Sequence, residues 1–481
     1  MMDEEISDAL PGASFERGKR LVGLALGPAV AALLYVVTQD GPAPKLAALM
    51  GLAVTWWLTE ALPAAAVALL VAALAVVVGV APAKTAFGAF GSPLLYMFVG
   101  SFFIAEAMKV HGLGERAARA TARVARGPAS LLCALSGTTF ALSAFMSNAA
   151  ATAIILPIAL AAGSTSPRYQ AAMVLAIAWG ASMGGLATPV GTPPNLIGVR
   201  ELAARGEAMD FATWAAIGVP IGLVMLAVMW AVLFAVHGRG RDAPAAALAP
   251  AAPRPWSRGE IAVVIAFAVA VVGWLTPSLL HLAAENSAAH RWTRTHLSEE
   301  VVAIVAGALL FVLPGGAPGA PRPALTWTEA TRIDWGVILL FGGGVLLGDL
   351  ARDSGLTAAW GAELVELTGA HSPWAIVALV TGVSIVLSEA TSNTATATLM
   401  VPLAAGMVPA GESIVPAVMG ATIGSSFGFM MPISTAPNAM AYGTGKVTMG
   451  QMMRSGIVFD VFGFVVVVVG LRVLCPLLGL A

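Results

Sequence analysis

The chain has 481 residues, 58% of them hydrophobic and only 11% charged, with a net charge of −1. A soluble domain carries roughly a quarter charged residues, so soluble, fibrous and disordered classes are excluded and an all-α polytopic membrane protein is implied. The balanced charge leaves no basic footprint for nucleic acid. Two cysteines, Cys133 and Cys475, lie in apolar runs and imply neither a disulfide framework nor a metal cluster.

The acidic start at Asp3, Glu4, Glu5 and Asp8 is unlike the basic start of a cleaved signal peptide. A membrane-spanning helix needs about 20 mostly apolar residues, or about 17 at the short end. On that rule eleven spans are predicted: 21–38, 44–60, 62–80, 92–109, 169–187, 211–236, 260–280, 298–313, 333–350, 412–430 and 455–479. Two further apolar stretches, 128–164 and 372–407, are too long for one span and short for two. Small polar residues interrupt each near its middle, so both predict re-entrant hairpins that return to the side they entered from. With the N-terminus inside and the C-terminus outside, this topology places 17 of the 25 Lys and Arg residues on the inner side. Turning either hairpin into a single span would flip everything after it and spoil that bias.

Between spans, residues 112–126 set Arg116, Arg119, Arg123 and Arg126 at helical spacing, a cationic stripe suited to the inner membrane face. Residues 238–259, rich in Pro, Ala and Arg, predict a flexible inner linker joining two halves. His281, His290 and His296 fall in an outer loop, where solvation explains them better than a metal site. Thirty prolines and 52 glycines point to broken helices, which in a membrane surround sites.

Duplication locates those breaks. Ser147-Asn148-Ala149-Ala150 matches Ser392-Asn393-Thr394-Ala395 at an offset of 245, as Pro157 matches Pro402. Pro189 to Asn195 matches Pro432 to Asn438 at an offset of 243, with Gly185 against Gly428. Gly112-Leu113 likewise pairs with Gly355-Leu356. The first hairpin enters from inside and the second from outside, so the repeats are inverted, the sequence pointer to a secondary transporter. A Ser-Asn tip ends one half-helix and starts another, aiming backbone N–H groups and an Asn amide at an anion. The Pro-rich breaks free carbonyl oxygens at membrane depth, where a hard cation such as Na+ is a fitting partner. Neither tip holds Lys, Arg or His, so an anion's charge falls to helix dipoles and bound cations. One such motif alone could merely mediate helix packing; a matched set argues against that.

At these residues the sequence resembles the divalent anion/sodium symporter family, whose members carry di- and tricarboxylates or sulfate. The resemblance covers the whole chain and is most specific from Ser425 to Met440, departing at Ala441 where Val is usual. It implies an elevator-type homodimer, with scaffold helices and a moving transport domain. The boundaries would be 1–127 (scaffold and interfacial arm), 128–210 (first hairpin and broken helix), 211–371 (linker and second scaffold part), 372–450 (second hairpin and broken helix) and 451–481 (last span). It implies substrate contact by Asn148, Ala149, Asn393, Thr394 and Thr435. One Na+ would sit near Ser143, Ser147, Asn148 and Gly191, the other near Ser388, Thr391, Asn393 and Ser434.

Two departures bear on substrate. The family's tips both read Ser-Asn-Thr, whereas the first here has Ala149, and Ala436 stands where Pro is frequent. A missing hydrogen-bond partner discriminates strongly between ligands. The expectation is a multi-pass inner (plasma) membrane protein of bacterial type, not an enzyme, moving a C4-dicarboxylate such as succinate with Na+. A sulfate or other oxyanion symporter and a sodium-independent dicarboxylate exchanger stay open. A cation/proton antiporter would need embedded carboxylates; Glu60, Glu106, Asp349, Glu389 and Asp460 lie in or near spans. Of these Glu389 is expected to tie the second hairpin to its neighbours. No HExxH, facing aspartate pair or Ser with a nearby His supports an intramembrane enzyme.

Overall fold

The computed structural model describes residues 13–161, 166–238, 254–284, 287–317 and 321–480. The acidic residues Asp3 to Asp8 and linker residues 239–253 lie outside the described residues. Among those described, the only strand-like feature is an isolated bridge between Pro314 and Pro323; everything else regular is helical.

The first half runs α1 (Ala13–Val37), α2 (Pro44–Thr59), α3 (Ala64–Val77), α4 (Ala83–Gly88) and α5 (Pro93–Val110). After these come the arm α6 (Leu113–Arg123), the hairpin arms α7 (Pro128–Ser143) and α8 (Asn148–Ala161), the broken helix α9 (Pro167–Gly185) with α10 (Pro193–Ala204), and α11 (Phe211–His237). The second half opens with α12 (Arg258–Ala284), α13 (Ala288–His296), α14 (Glu299–Leu309), α15 (Trp327–Ala330) and α16 (Trp335–Asp353). It then repeats the order: α17 (Leu356–Thr368), hairpin arms α18 (Pro373–Ala390) and α19 (Asn393–Met407), broken α20 (Val415–Gly424) with α21 (Ala436–Gly443), and α22 (Met449–Leu477).

The duplication is therefore structural. The second hairpin arms begin at Asn148 and Asn393, and the helices after the breaks begin at Pro193 and Ala436, at the two sequence offsets. Both arms α6 and α17 start after a glycine in the left-handed region, Gly112 (φ 69°) and Gly355 (φ 75°), a turn that a side chain would strain. The halves also exchange partners: α10 packs against α19 of the other repeat, and α21 against α8 and α9. A Cβ on Gly198 would meet Thr422 Oγ1 at 2.5 Å, so only glycine allows the close approach of α10 to α20.

Among the described residues, seven stretches are long and apolar enough to cross a membrane alone, including 83–110 and the hairpin arm Pro373–Ala390. The other predicted spans are present but shorter or less apolar. The span expected at 298–313 is helical over Glu299–Leu309, and that at 412–430 only over Val415–Gly424. Protein surrounds the second and satisfies the ends of both, so the lipid-length rule does not apply to them as it does to a lone span. Past α14, for example, Leu325 N–H donates to the Leu310 carbonyl (2.9 Å) and Ala324 N–H to that of Leu313 (2.8 Å). Apolar side chains stand out of α1, α12 and α22, among them Val37 (70% exposed), Val272 (64%) and Val461 (61%), as lipid-facing surfaces do.

The loop expected to hold three histidines instead contains α13, and His290 is buried with its ring 5.3 Å from that of His281. The cationic stripe forms α6, but Arg116 turns into the protein. It donates to Glu260 (2.7 and 3.0 Å) and to the carbonyls of Arg254 and Pro255, and its guanidinium lies 4.7 Å from the Trp256 ring. The end of the linker is thus pinned to the arm. Cys133 and Cys475 are free thiols.

Candidate functional site

Each hairpin tip is closed by the same hydrogen bond. Ser143 Oγ, at the end of α7, donates to Asn148 Oδ1 at 2.8 Å, and Ser388 Oγ donates to Asn393 Oδ1 at 2.8 Å. In both, a hydroxyl from the last turn of one arm fixes the first residue of the next, so the amide turns inward. At the first tip Ser147 Oγ also accepts from Ala150 N–H (3.2 Å). At the second, Ser388 Oγ reaches the Ser425 carbonyl (2.7 Å), and Thr391 Oγ1 lies 2.7 Å from Thr396 Oγ1.

The breaks are braced by a second matched pair. Asn195 Nδ2 donates to the carbonyls of Gly185 (2.8 Å) and Thr188 (2.7 Å); Asn438 Nδ2 donates to those of Gly428 (2.7 Å) and Met431 (3.0 Å). Each amide replaces helix hydrogen bonds that the prolines remove. Both Oδ1 atoms remain buried without a partner. The sequence reading included these asparagines in the repeated motif without giving them a role.

Glycines bring tip and break together. A Cβ on Gly185 would meet Asn148 Oδ1 at 2.6 Å and Thr192 Cβ at 3.2 Å, and one on Gly191 would meet the Gly185 carbonyl at 2.5 Å. In the second repeat a Cβ on Gly428 would meet Ser434 Cβ at 2.9 Å, the Ser388 carbonyl at 3.3 Å and Thr435 Cγ2 at 3.5 Å. Asn148 and Gly191 therefore gather around Gly185, with Ser143 reaching the group through Asn148. Ser388, Ser434 and Thr435 gather around Gly428, with Asn393 held on Ser388. Ser143, Gly191, Ser388, Thr391, Thr394 and Ser434 are buried; Ser147, Asn148, Ala149, Asn393 and Thr435 are half-buried.

The repeats differ where the tip is tied to the break. In the first, Thr188 Oγ1 donates to the Ala144 carbonyl. At the matching position of the second stands Glu389, whose carboxylate accepts from Phe429 N–H (2.5 Å), Met430 N–H (3.0 Å) and Ser434 Oγ (3.2 Å). Ser434 Oγ also donates to the Glu389 carbonyl (2.7 Å). Glu389 thus ties hairpin to break, while the buried Asp460 of α22 keeps both carboxylate oxygens without a hydrogen-bond partner.

A cavity of about 890 Å3 leads to the first tip, lined there by Ser147, Ala149, Gly191 and Pro193. It lies between α5, which contributes Phe98, Phe102 and Ala105, and α21, which contributes Met440; its lining also includes Lys109, Arg119 and Arg332. Asn148, Asn393, Thr394 and Thr435 are not among its lining residues. A second cavity, about 1400 Å3, is lined by Lys84, Arg200, Asp210 and Asp349 and by none of the tip residues.

Comparison with known proteins bears on the chain as a whole. The family described as citrate transporters matches residues 54–424. A protein of Staphylococcus saprophyticus named as a sodium-dependent dicarboxylate transporter is 33% identical over 491 aligned residues, covering 95% of this chain and 92% of its own. Its namesake in a bovine strain of Staphylococcus aureus is 30% identical over 488, again covering 95% and 92%. Among solved structures, the YdaH transporter of Alcanivorax borkumensis aligns over 81% of this chain and 87% of its own with a TM-score of 0.55. At 14% identity that likeness concerns the fold alone.

Proposed function

This chain belongs to the divalent anion/sodium symporter family, and from that premise we propose that it carries a C4-dicarboxylate such as succinate across the membrane with Na+. The observation that carries the reading is the pair of equal Ser-to-Asn hydrogen bonds, Ser143 to Asn148 and Ser388 to Asn393. They would shape two equivalent oxygen-rich sites, one at each tip.

The chemistry follows from which helix ends meet there. α8, α10, α19 and α21 start at the tips and breaks, and their N-termini carry the positive end of the helix dipole, suited to a carboxylate. α7, α9, α18 and α20 finish there, and their carbonyls suit a hard cation. One Na+ would take oxygens from Ser143, Ser147, Asn148 and Gly191, the other from Ser388, Thr391, Asn393 and Ser434. Asn195 Oδ1 and Asn438 Oδ1, buried and unpartnered, add an oxygen near each. The dianion would lie between the tips against Asn148, Ala149, Asn393, Thr394 and Thr435, its charge offset by both cations.

The hairpins and broken helices (128–210 and 372–450), with the last span 451–481, would move as a transport domain against scaffold helices from 1–127 and 211–371. Each molecule of a homodimer would do so, with the N-terminus inside and the C-terminus outside a bacterial inner membrane. The cavity is lined by Lys109, Arg119 and Arg332, which the topology puts on the side richer in positive charge, so this conformation reads as inward-open. Ala149 offers a methyl where Thr394 offers a hydroxyl, the feature that keeps inorganic oxyanions in view. The test is labelled succinate uptake into proteoliposomes with and without an inward Na+ gradient, with sulfate as competitor. Sodium-driven uptake supports the reading; uptake needing internal dicarboxylate instead means exchange, and sulfate transport alone moves the substrate to oxyanions.

A further inference from the structure

The two repeats are joined to α5 and α16 differently. Asp349 and Arg352 of α16 form an ion pair (2.9 Å), and 243 residues earlier Glu106 and Lys109 of α5 form its counterpart (3.5 Å). Asp349 has a further partner: Arg200 Nη2, at the far end of α10, lies 2.8 Å from both carboxylate oxygens. The residue equivalent to Arg200 in the other repeat is Gly443, the last residue of α21. It has no side chain with which to reach Glu106.

This difference coincides with the two cavities. α10 packs directly on α16 where Arg200 and Asp349 meet. Between α21 and α5 the 890 Å3 cavity intervenes instead, with Glu106 and Lys109 on its wall. Arg200 and Asp349 both line the second cavity, which stops short of the tips. Both side chains are partly shielded from solvent, at 25% and 30% exposure, where a doubly accepting carboxylate is stronger than an exposed pair.

We propose that Arg200 and Asp349 form a latch between the moving broken helix and α16, closing the side opposite the open cavity, and that transport requires this pair to part. The inference rests on the proposed division into transport and scaffold domains. Arg352 keeps Asp349 paired when Arg200 leaves, so opening strands no carboxylate. Among the described residues no such pair forms on the Gly443 side, which biases the protein toward the conformation seen here.

The experiment uses the full chain in proteoliposomes, with Cys133 and Cys475 replaced by Ala and Ile158→Cys on the cavity wall as a reporter for a membrane-impermeant maleimide. Asp349→Asn should slow labelling of Cys introduced at 158 by about five-fold, the population shift that a pair of this kind sustains. Arg200→Gln should do the same and guards against a folding defect in either variant. In a protein that lacks the reporter, a short bifunctional thiol crosslinker joining Arg200→Cys to Asp349→Cys should stop succinate uptake until the link is cleaved. Unchanged labelling in both charge variants, or full transport by the crosslinked protein, overturns the latch. Labelling does not depend on substrate, so a wild type that labels as expected but moves no succinate would sink the substrate reading and leave the latch standing.

Discussion

Asn195 and Asn438, 243 residues apart, make the same clamp: each side-chain amide donates to two main-chain carbonyls of the break before it. The spacing is conserved along with the chemistry, with one acceptor ten residues back and the other seven. Such a clamp holds an unwound helix in one conformation at membrane depth, where loose backbone is costly.

Removing a clamp strands one buried carbonyl, that of Gly185 or Gly428, since the Thr188 carbonyl still accepts from Gly191 N–H and that of Met431 from Ser434 N–H (3.3 Å each). Asn195→Ala and Asn438→Ala should each lower stability by about 1–3 kcal/mol per acceptor left unpaired. Uptake should fall with it, because the break loses its shape. Thermal unfolding in detergent reads the first effect and proteoliposome uptake the second. A variant with wild-type melting and transport would show that the break holds itself without the amide.

Ala149→Thr restores a hydroxyl at a cavity-lining position where the second tip has Thr394. A site built to hydrogen-bond an anion discriminates through such single groups, so the ranking of succinate against sulfate should change. Competition curves for the two anions measure this. Coincident curves for wild type and variant would show that Ala149 does not touch the substrate.

Outside the spans, Glu329 supports the short α15 turn. Burial pushes its carboxyl up. The Thr326 N–H and hydroxyl and the Arg322 guanidinium outweigh that, and hold the group below the ordinary carboxylate range. A group depressed in the folded state adds stability above its unfolded value and loses it as pH falls through the folded one. Melting temperature should therefore fall on acidification below about pH 4.3, the unperturbed Glu value. Glu329→Gln should melt lower at neutral pH and converge on wild type in acid. Parallel curves at every pH would contradict this.

Much of this architecture was legible along the chain. Both hairpins were given by apolar stretches of the wrong length for spans, and their second arms start at Asn148 and Asn393, where the repeated motif lies. Helix lengths were less legible, because α20 is surrounded by protein and the chain after α14 caps that helix with backbone hydrogen bonds, so both escape the lipid-length rule. The stripe at Arg116 read as a membrane-facing surface. A charge pattern on one helix cannot reveal that Glu260, 144 residues away, awaits it. From the sequence Asp349 reads only as an embedded carboxylate, since its bond to Arg200 spans 149 residues. Repeat arithmetic offered the one available signal, by pairing Asp349 with Glu106 and Arg200 with Gly443.

The central claim is that the two Ser-Asn pairs hold two coupling cations. It is tested most directly by the Na+ dependence of succinate uptake in wild type, Ser143→Ala and Ser388→Ala. Two cooperative sodium sites predict a sigmoidal wild-type curve, and each variant should need more Na+ and lose the sigmoidal shape. Wild-type sodium curves in both variants would contradict the account and place the coupling cations elsewhere.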